Sequence, residues 1–223
     1  DDELYRTSEE EEIIATAKAN GTYMKAPNGK PSKLSEEQWV QVRTKAFKKW
    51  FGDWENDSAN ASKVVDENGE PMVVYHNSDN KFTEFNPSKI GSANDLGFYG
   101  GGFYFSKDKG YASTYGDNAY EVFLNIRNPF IANSIESSQA SIMFNREDDS
   151  LESYAGERYN DYKSDIESAD GVIHDGPSFY RGGKPIQEYV VAEPTQIKSA
   201  TDNVGTFDAN NPDIRYSLVT DLE

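Results

Sequence analysis

Two stretches in the first 60 residues have the apolar spacing and the start signals of helices. The first begins at Ser8 and continues with four consecutive glutamates, which favour the positive end of a helix. The second runs from Ser35 to Gly52 and opens with Ser35 and Gln38 three positions apart, the spacing of a capping box. All three tryptophans lie in or beside this second stretch. We therefore expect residues 1–60 to form a helical appendage that packs on the rest of the chain.

From residue 61 onwards the pattern changes to short runs of β-branched and aromatic residues, separated by long polar loops. These runs predict strands at 63–65, 71–76, 103–105, 120–126, 170–173 and 186–191, of which the first two form a hairpin. A helix is predicted from Ser106 to Tyr115, and an acidic insertion, helical or irregular, at 146–170. Short strands with few helices between them indicate an α+β fold rather than a doubly wound parallel sheet. We assign residues 61–223 to this one domain.

Composition narrows the candidate chemistry. The chain has 22 Lys and Arg against 39 Asp and Glu, a formal net charge of −17, so its surface would repel nucleic acid or an anionic membrane. It contains no Cys and two His, which excludes thiol nucleophiles and makes a metal centre unexpected. No apolar run is long enough for a membrane span, and no leader is visible. We expect a cytoplasmic monomer, cut from a longer polypeptide because the chain begins without Met.

The two histidines provide one candidate chemistry. His76 lies at the end of a predicted strand, and His174 lies in a predicted turn at 173–176. A pair of histidines is the minimum for acid–base cleavage of RNA without a metal, so a ribonuclease is one alternative. A serine nucleophile has no support, because the chain contains no G-x-S-x-G sequence.

Two tyrosines and a glutamate provide a second candidate chemistry. Tyr104 and Tyr115 are eleven positions apart, across a predicted strand and the helix after it. Their rings could face each other across a slot for a flat cationic ring, although two core aromatics would have the same spacing. Glu188 lies in an apolar strand. Side chains along a strand alternate between the buried and the exposed face, so Glu188 could simply face solvent. Alternatively, its carboxylate could bind a ribose hydroxyl and stabilise an oxocarbenium ion.

Four glycines between positions 97 and 102 precede a predicted strand. A phosphate-binding loop follows a strand and opens a helix instead, so these glycines do not predict a nucleotide loop of that kind. We interpret them as a loop whose backbone turns tightly or approaches a ligand closely.

Three segments indicate one protein family when they are taken together and in order. They are 73–78 (VVYHNS), 102–115 (GFYFSKDKGYASTY) and 187–198 (QEYVVAEPTQIK). They resemble the ADP-ribosyltransferase fold of the diphtheria-toxin and poly(ADP-ribose) polymerase type, the His-Tyr-Glu class. The resemblance covers about residues 63–200 and implies two packed, mainly antiparallel sheets around an NAD cleft. Further segments are similar to transferase domains of phage and mobile-element polyvalent proteins: 51–54, 170–173, 196–200 and 211–217.

The resemblance implies an NAD site formed by seven residues: His76, Asn77, Ser78, Tyr104, Ser106, Tyr115 and Glu188. The catalytic ones would be Glu188, His76 and Tyr104. His76 would hydrogen-bond the adenosine ribose, and the backbone of Asn77 would hold the nicotinamide carboxamide. Tyr104 and Tyr115 would sandwich the nicotinamide ring, while Glu188 would bind the 2′-hydroxyl of the nicotinamide ribose. NAD would be the co-substrate, and no metal is expected.

Two positions depart from the pattern of this class, and a third separates the chain from the other major class, Arg-Ser-Glu. Asn77 stands where the family has Gly, although Asn tolerates positive φ better than most residues. Ala112 stands where polymerase-like members have a Ser that contacts the carboxamide. Ile186 stands where arginine-modifying members have Gln or Glu, two positions before the catalytic Glu. Ile186 therefore disfavours arginine modification of that type. We favour transfer of a single ADP-ribose unit because the segment at 102–115 is toxin-like and the surrounding segments are phage-like.

The function expected from the sequence is NAD-dependent mono-ADP-ribosyltransfer to a macromolecule. A protein of a bacterial host is the expected acceptor and a phage or mobile element the expected source, while the net charge disfavours a nucleic-acid acceptor. Three alternatives stay open. They are an NAD glycohydrolase with water as acceptor, a metal-free ribonuclease using His76 and His174, and an NAD-binding module without turnover.

Overall fold

The computed structural model describes residues 6–91, 97–147, 149–203, 205 and 207–215. Its helices are α1 (Ser8–Asn20), α2 (Glu36–Gln41), α3 (Lys45–Phe51), α4 (Lys109–Ala112), α5 (Ile135–Ala140) and α6 (Tyr159–Ser168). Its strands are β1 (Val74–Ser78), β2 (Phe103–Ser106), β3 (Asn118–Leu124), β4 (Pro129–Ala132), β5 (Gly171–Pro177), β6 (Pro185–Val191) and β7 (Ile197–Ser199). Within the described ranges, no helix is long and apolar enough to cross a membrane. The end of the predicted C-terminal segment, residues 216 and 217, lies outside them.

The strands form one mixed sheet in the order β4-β5-β6-β2-β1-β3-β7. All neighbours are antiparallel except β4 and β5. The predicted α+β class and mainly antiparallel pairing are therefore confirmed. Instead of the two expected sheets, the structure has one sheet with two halves. The halves meet at β1 and β2, which are joined at a single residue pair, Tyr75 with Ser106. This narrow joint separates a four-strand half, β4-β5-β6-β2, from a three-strand half, β1-β3-β7.

The N-terminal helices begin close to their predicted positions but do not all end there. A capping box of Thr7 and Glu10 starts α1, one residue before the predicted start, and the predicted box of Ser35 and Gln38 starts α2. The expected single helix up to Gly52 is wrong. Its chain leaves the helix after Gln41, and the hydroxyl of Thr44 caps a new helix, α3, by accepting a hydrogen bond from the amide of Phe47.

Residues 6–61 share an apolar core with the three-strand half of the sheet. The ring of Phe47 stacks on Phe51 at 5.0 Å and meets Phe123 of β3 and Phe207 edge-on. The indole of Trp50 donates a hydrogen bond to the carbonyl of Thr195 at 2.9 Å. These contacts pack residues 6–61, which we call the collar, against the three-strand half of the sheet.

A buried ion pair also holds the collar in place. The guanidinium of Arg43 lies 2.9 Å from Oε2 of Glu70, whose side chain is fully buried. The same guanidinium lies 3.8 Å from the ring centroid of Trp39 and 5.0 Å from that of Trp54. Because Glu70 belongs to the turn that precedes β1, this pair connects the collar to the strand that carries His76.

Residue 174 differs most from its predicted setting. The prediction of a turn there is wrong, because His174 lies inside β5 with 1% of its surface exposed. Gly176 read as a turn signal, but it serves a close approach: a Cβ at this position would lie 2.7 Å from the carbonyl oxygen of Asn133. The predicted hairpin at 63–76 is also reduced, to an isolated bridge between Val65 and Pro71, followed by β1. Strands β4 and β7 and helix α5 were not predicted.

Candidate active site

A single cleft opens where β1 meets β2, and it brings all seven predicted site residues together. His76, Asn77, Ser78, Tyr104, Ser106, Tyr115 and Glu188 all line it. Its volume is about 1620 Å³, whereas sites for drug-sized molecules span roughly 300–1,000 Å³. The cleft is therefore larger than a site for one drug-sized molecule.

His76 occupies β1 opposite Tyr120 of β3. Its Nδ1 lies 2.7 Å from the carbonyl oxygen of Tyr104. Because a carbonyl oxygen only accepts, Nδ1 carries the proton, and Nε2 of the neutral ring is an acceptor. Burial among Phe85 and Phe105 lowers the pKa of His76 below its ordinary value. The ring is therefore neutral at pH 7 and can accept a hydrogen bond from a hydroxyl group.

Tyr104 is fixed at its phenol end by the glycine-rich loop. Its hydroxyl donates to the carbonyl oxygen of Gly100 at 2.7 Å and accepts from the amide of Tyr99 at 3.3 Å. Gly100 has φ +117, and a Cβ on Gly97 would lie 3.1 Å from the Tyr104 hydroxyl. The interpretation of this loop as a tight turn with a close backbone approach agrees with this geometry, and the structure shows that the loop holds a tyrosine in place.

Tyr115 lies at the rim of the same cleft, in the turn that follows α4, and 56% of its surface is exposed. Its hydroxyl is 2.7 Å from that of Tyr111, and the two rings meet edge-on at 5.6 Å. The side chain of Asp108 caps α4 by accepting from the amide of Tyr111. The two candidate stacking rings thus come from β2 and from the turn after α4.

Asn77 uses its side chain to fasten this turn to β1. Its Nδ2 donates to the carbonyl oxygen of Gly116 at 2.8 Å. Gly116 has φ +147, and a Cβ there would lie 2.3 Å from the carbonyl carbon of Ser78. Asn77 itself is extended, because the positive-φ non-glycine residues of the described chain are elsewhere. The substitution of Asn for Gly therefore requires no left-handed backbone.

Glu188 lies on β6, directly opposite Ser106 of β2 on one side and His174 of β5 on the other. Residues that face each other across neighbouring strands share one face of a sheet. Only 6% of Glu188 is exposed, so it is not the solvent-facing member of its strand. Ser106, also buried, accepts a hydrogen bond through Oγ from the amide of Asp108 at 3.0 Å.

Two further residues, Arg181 and Tyr99, interact with Glu188, and the sequence did not indicate them. The guanidinium of Arg181 lies 3.7 Å from Oε1 of Glu188 and hydrogen-bonds the hydroxyl of Tyr111. The hydroxyl of Tyr99 is 2.7 Å from Oγ of Ser178 and interacts electrostatically with both Glu188 and Arg181, while burial raises its pKa. The one available signal was that Arg181 lies in the glycine-containing turn just before the Glu188 strand.

His174 is the cross-strand neighbour of Glu188, but its ring is buried behind the cleft. Its Nε2 is 3.1 Å from Oγ of Ser141, and its ring packs against Tyr99 at 4.4 Å. Burial lowers the pKa of His174 to about 3. His174 is not among the described residues that line the cleft. The ribonuclease alternative requires two histidines that act together on RNA. Of the two, only His76 lines the cleft, so this arrangement does not support that alternative.

The described part of the cleft offers no cluster of metal ligands. Among the described residues, no group of three or more His, Asp or Glu side chains could hold a metal ion. The described lining consists of hydroxyl groups, one imidazole, side-chain and backbone amides, the carboxylates of Asp79, Glu84 and Glu188, and the cations of Lys89 and Arg146. Such a set binds sugars, amides and aromatic rings by hydrogen bonding and stacking.

The fold and the cleft together define an ADP-ribosyltransferase domain. Comparison with protein families agrees: the family described as ADP-ribosyltransferase in polyvalent proteins matches residues 66–207, more than half of the chain. The chain belongs to this family, which confirms the resemblance seen in the sequence. Comparisons with the curated proteins and with the solved structures gave no match.

Proposed function

We propose that this domain cleaves the bond between nicotinamide and ribose in NAD and transfers ADP-ribose, one unit at a time, to a protein. ADP-ribosyltransferase families use NAD as co-substrate. The observation that carries the proposal is the convergence of His76, Tyr104, Tyr115 and Glu188 on one cleft from four separate segments.

Binding would use the groups whose orientation the fold already sets. Nε2 of the neutral His76 would accept a hydrogen bond from the adenosine ribose, and the backbone of Asn77 would hold the carboxamide. The rings of Tyr104 and Tyr115 would stack on the nicotinamide, whose positive charge is attracted to electron-rich faces. Ser78 and Ser106 would complete the polar lining.

Glu188 would act on the sugar. A carboxylate beside the nicotinamide ribose can hydrogen-bond the 2′-hydroxyl and stabilise the positive charge that develops on C1′ as the bond to nicotinamide breaks. Nicotinamide leaves as a neutral molecule, so the protein needs no acid to protonate it. Its contribution is therefore orientation and charge stabilisation.

The setting of the reaction is part of the same proposal. We propose that the domain acts as a monomer in the cytoplasm of a bacterial host, as an effector of a phage or mobile element. Support comes from the family, whose members are domains of polyvalent proteins. The net charge of −17 favours a protein acceptor over nucleic acid.

The test uses the full chain with NAD and measures nicotinamide release together with transfer of label from NAD to host protein. Glu188→Gln keeps the shape of the side chain and removes its charge. We expect a loss of about 10²–10³ in turnover, the usual effect of removing one group that stabilises transition-state charge. Arg181, the ion-pair partner, has 37% of its side chain exposed, so the loss of stability should be below about 1 kcal/mol.

The matched control is Glu12→Gln, which removes the same charge from an exposed position on α1. It should turn over NAD like the unmodified chain. Full turnover by the Glu188 variant would mean that another group performs the chemistry, and the proposal would be wrong.

A further inference from the structure

A positive charge stands beside the candidate catalytic carboxylate, on its outer side. Arg181 lies in the turn between β5 and β6 and places its guanidinium 3.7 Å from Oε1 of Glu188. The guanidinium also binds the hydroxyl of Tyr111 and lies 4.9 Å from the centroid of that ring. Glu188 and Tyr111 line the cleft, whereas Arg181 is not among its described lining residues. Arg181 therefore reaches Glu188 from the rim and leaves the cleft itself to NAD.

This placement affects which acceptor can approach the sugar. The side chain of Glu188 is 8% exposed and that of Arg181 is 37% exposed, so a molecule arriving from solvent meets the guanidinium first. A cationic acceptor would be repelled there and would also compete with Arg181 for Glu188. An anionic acceptor would be attracted, and Arg181 would offset its repulsion by Glu188.

The need to remove a proton from most acceptors also favours an anionic acceptor. A hydroxyl or guanidinium acceptor must lose a proton as it bonds to C1′, so it needs a base in the site. Glu188 is engaged by Arg181 and, in the proposed function, by the 2′-hydroxyl. In the same proposal, Nε2 of His76 is engaged by the adenosine ribose, and the residue two positions before Glu188 is the apolar Ile186. An ionised carboxylate needs no base, because it has no proton to lose.

We propose that the acceptor is a carboxylate side chain of a protein, an Asp or a Glu, and that Arg181 is the residue that selects it. This inference rests on the proposed function. One carboxylate oxygen forms the new bond to C1′ while the bond from C1′ to the nicotinamide nitrogen breaks. The electron pair of that bond leaves with nicotinamide, no proton is transferred, and the product is an ester of ADP-ribose.

The experiment uses the full chain, NAD labelled in its adenine, and peptides that are identical except for one central Glu, Gln, Arg or Ser. We expect label on the Glu peptide only, released by neutral hydroxylamine as an ester should be. Arg181→Gln should lower transfer to that peptide by about tenfold or more, the effect of losing a hydrogen bond to a charged group. Hydrolysis of NAD by water, measured as nicotinamide release without peptide, should change much less.

Two variants separate the role of charge from that of shape. Arg181→Lys keeps the charge and should retain most of the transfer to the Glu peptide. Lys184→Gln removes an exposed positive charge from the same turn and should transfer like the unmodified chain.

The outcomes that would overturn the inference are distinct. Normal NAD hydrolysis with label on the Arg or Ser peptide instead of the Glu peptide would reject it while leaving the proposed function intact. So would an Arg181→Gln variant that labels the Glu peptide as well as the unmodified chain. Absence of nicotinamide release in every reaction would reject the proposed function, and this inference with it.

Discussion

The contact between Gly116 and β1 makes the position of Tyr115 sensitive to one methyl group. Gly116 follows Tyr115 directly, and its carbonyl accepts the side-chain hydrogen bond of Asn77. A Cβ added at Gly116 would lie 2.3 Å from the carbonyl carbon of Ser78 and 2.5 Å from the amide nitrogen of Asp79. Both are backbone atoms of the strand end, so no flexible side chain can move aside. Gly116→Ala must therefore displace the turn that carries Tyr115.

The size of the displacement follows from these distances. Carbon atoms in contact are separated by about 3.5 Å, so the turn must move by roughly 1.2 Å from its 2.3 Å approach. A misplacement of about 1 Å in a group that orients substrate can cost about 10²-fold in rate. We expect kcat/KM for NAD to fall by about 10- to 100-fold. Overpacking of this kind costs about 1–3 kcal/mol of stability.

The assay is the rate of nicotinamide release as a function of NAD concentration, with thermal unfolding measured in parallel. Gly69→Ala is the matched control. Gly69 also has positive φ, +82, but a Cβ there would meet nothing within 4 Å, and the residue lies outside the cleft. Gly69→Ala should therefore be destabilised by backbone strain in the thermal unfolding measurement, while its kcat/KM for NAD stays unchanged. A folded Gly116→Ala protein with unchanged kcat/KM would refute the argument that this contact positions Tyr115 for NAD.

Two further predictions concern stability. Glu70→Ala leaves the buried guanidinium of Arg43 with only the more distant carboxylate of Glu55, 4.0 Å away, and should cost about 3 kcal/mol in urea unfolding, the lower end of the range for breaking a buried pair. Glu67→Ala, which removes an exposed partner of Lys33, should be unchanged within error, and equal effects would contradict the role of burial. For His174, the folded pKa of about 3 lies below the ordinary value near 6.5, so its contribution to stability is complete above pH 6.5 and declines as the pH falls below it. Between pH 6.5 and 5 the free energy of unfolding of the unmodified chain should therefore fall by about 2 kcal/mol more than that of His174→Gln; parallel pH profiles of the two proteins would show that His174 is not buried in its neutral form.

Local signals predicted most of the secondary structure. The capping box of Ser35 and Gln38, the aromatic run at β2 and the apolar run at β6 depend on residues within a few positions of one another. The errors occurred where a local signal had a tertiary cause. Gly176 looks like part of a turn, but it is a glycine because β5 passes close to Asn133. The break between α2 and α3 escaped prediction because Thr44, mid-way through an apolar pattern, caps a new helix.

The candidate active site was also predictable only in part from local sequence signals. The order and spacing of the three segments that contain His76, Tyr104 and Glu188 were enough to indicate the family, and the match over residues 66–207 confirms it. Their convergence on one cleft depends on strand order, because β2 lies between β1 and β6 although β6 follows it by some 80 positions. No local pattern contains that information.

The sequence by itself determined the α+β class, the family and a list of candidate site residues, since each follows from residue types at short spacing. Only the tertiary structure decided that His174 is buried in the core, that Asn77 anchors the turn of Tyr115, and that Arg181 stands beside Glu188. These contacts join residues that lie in different elements of the fold. Their geometry is set by strand register and packing, which arise only when the whole sheet has formed.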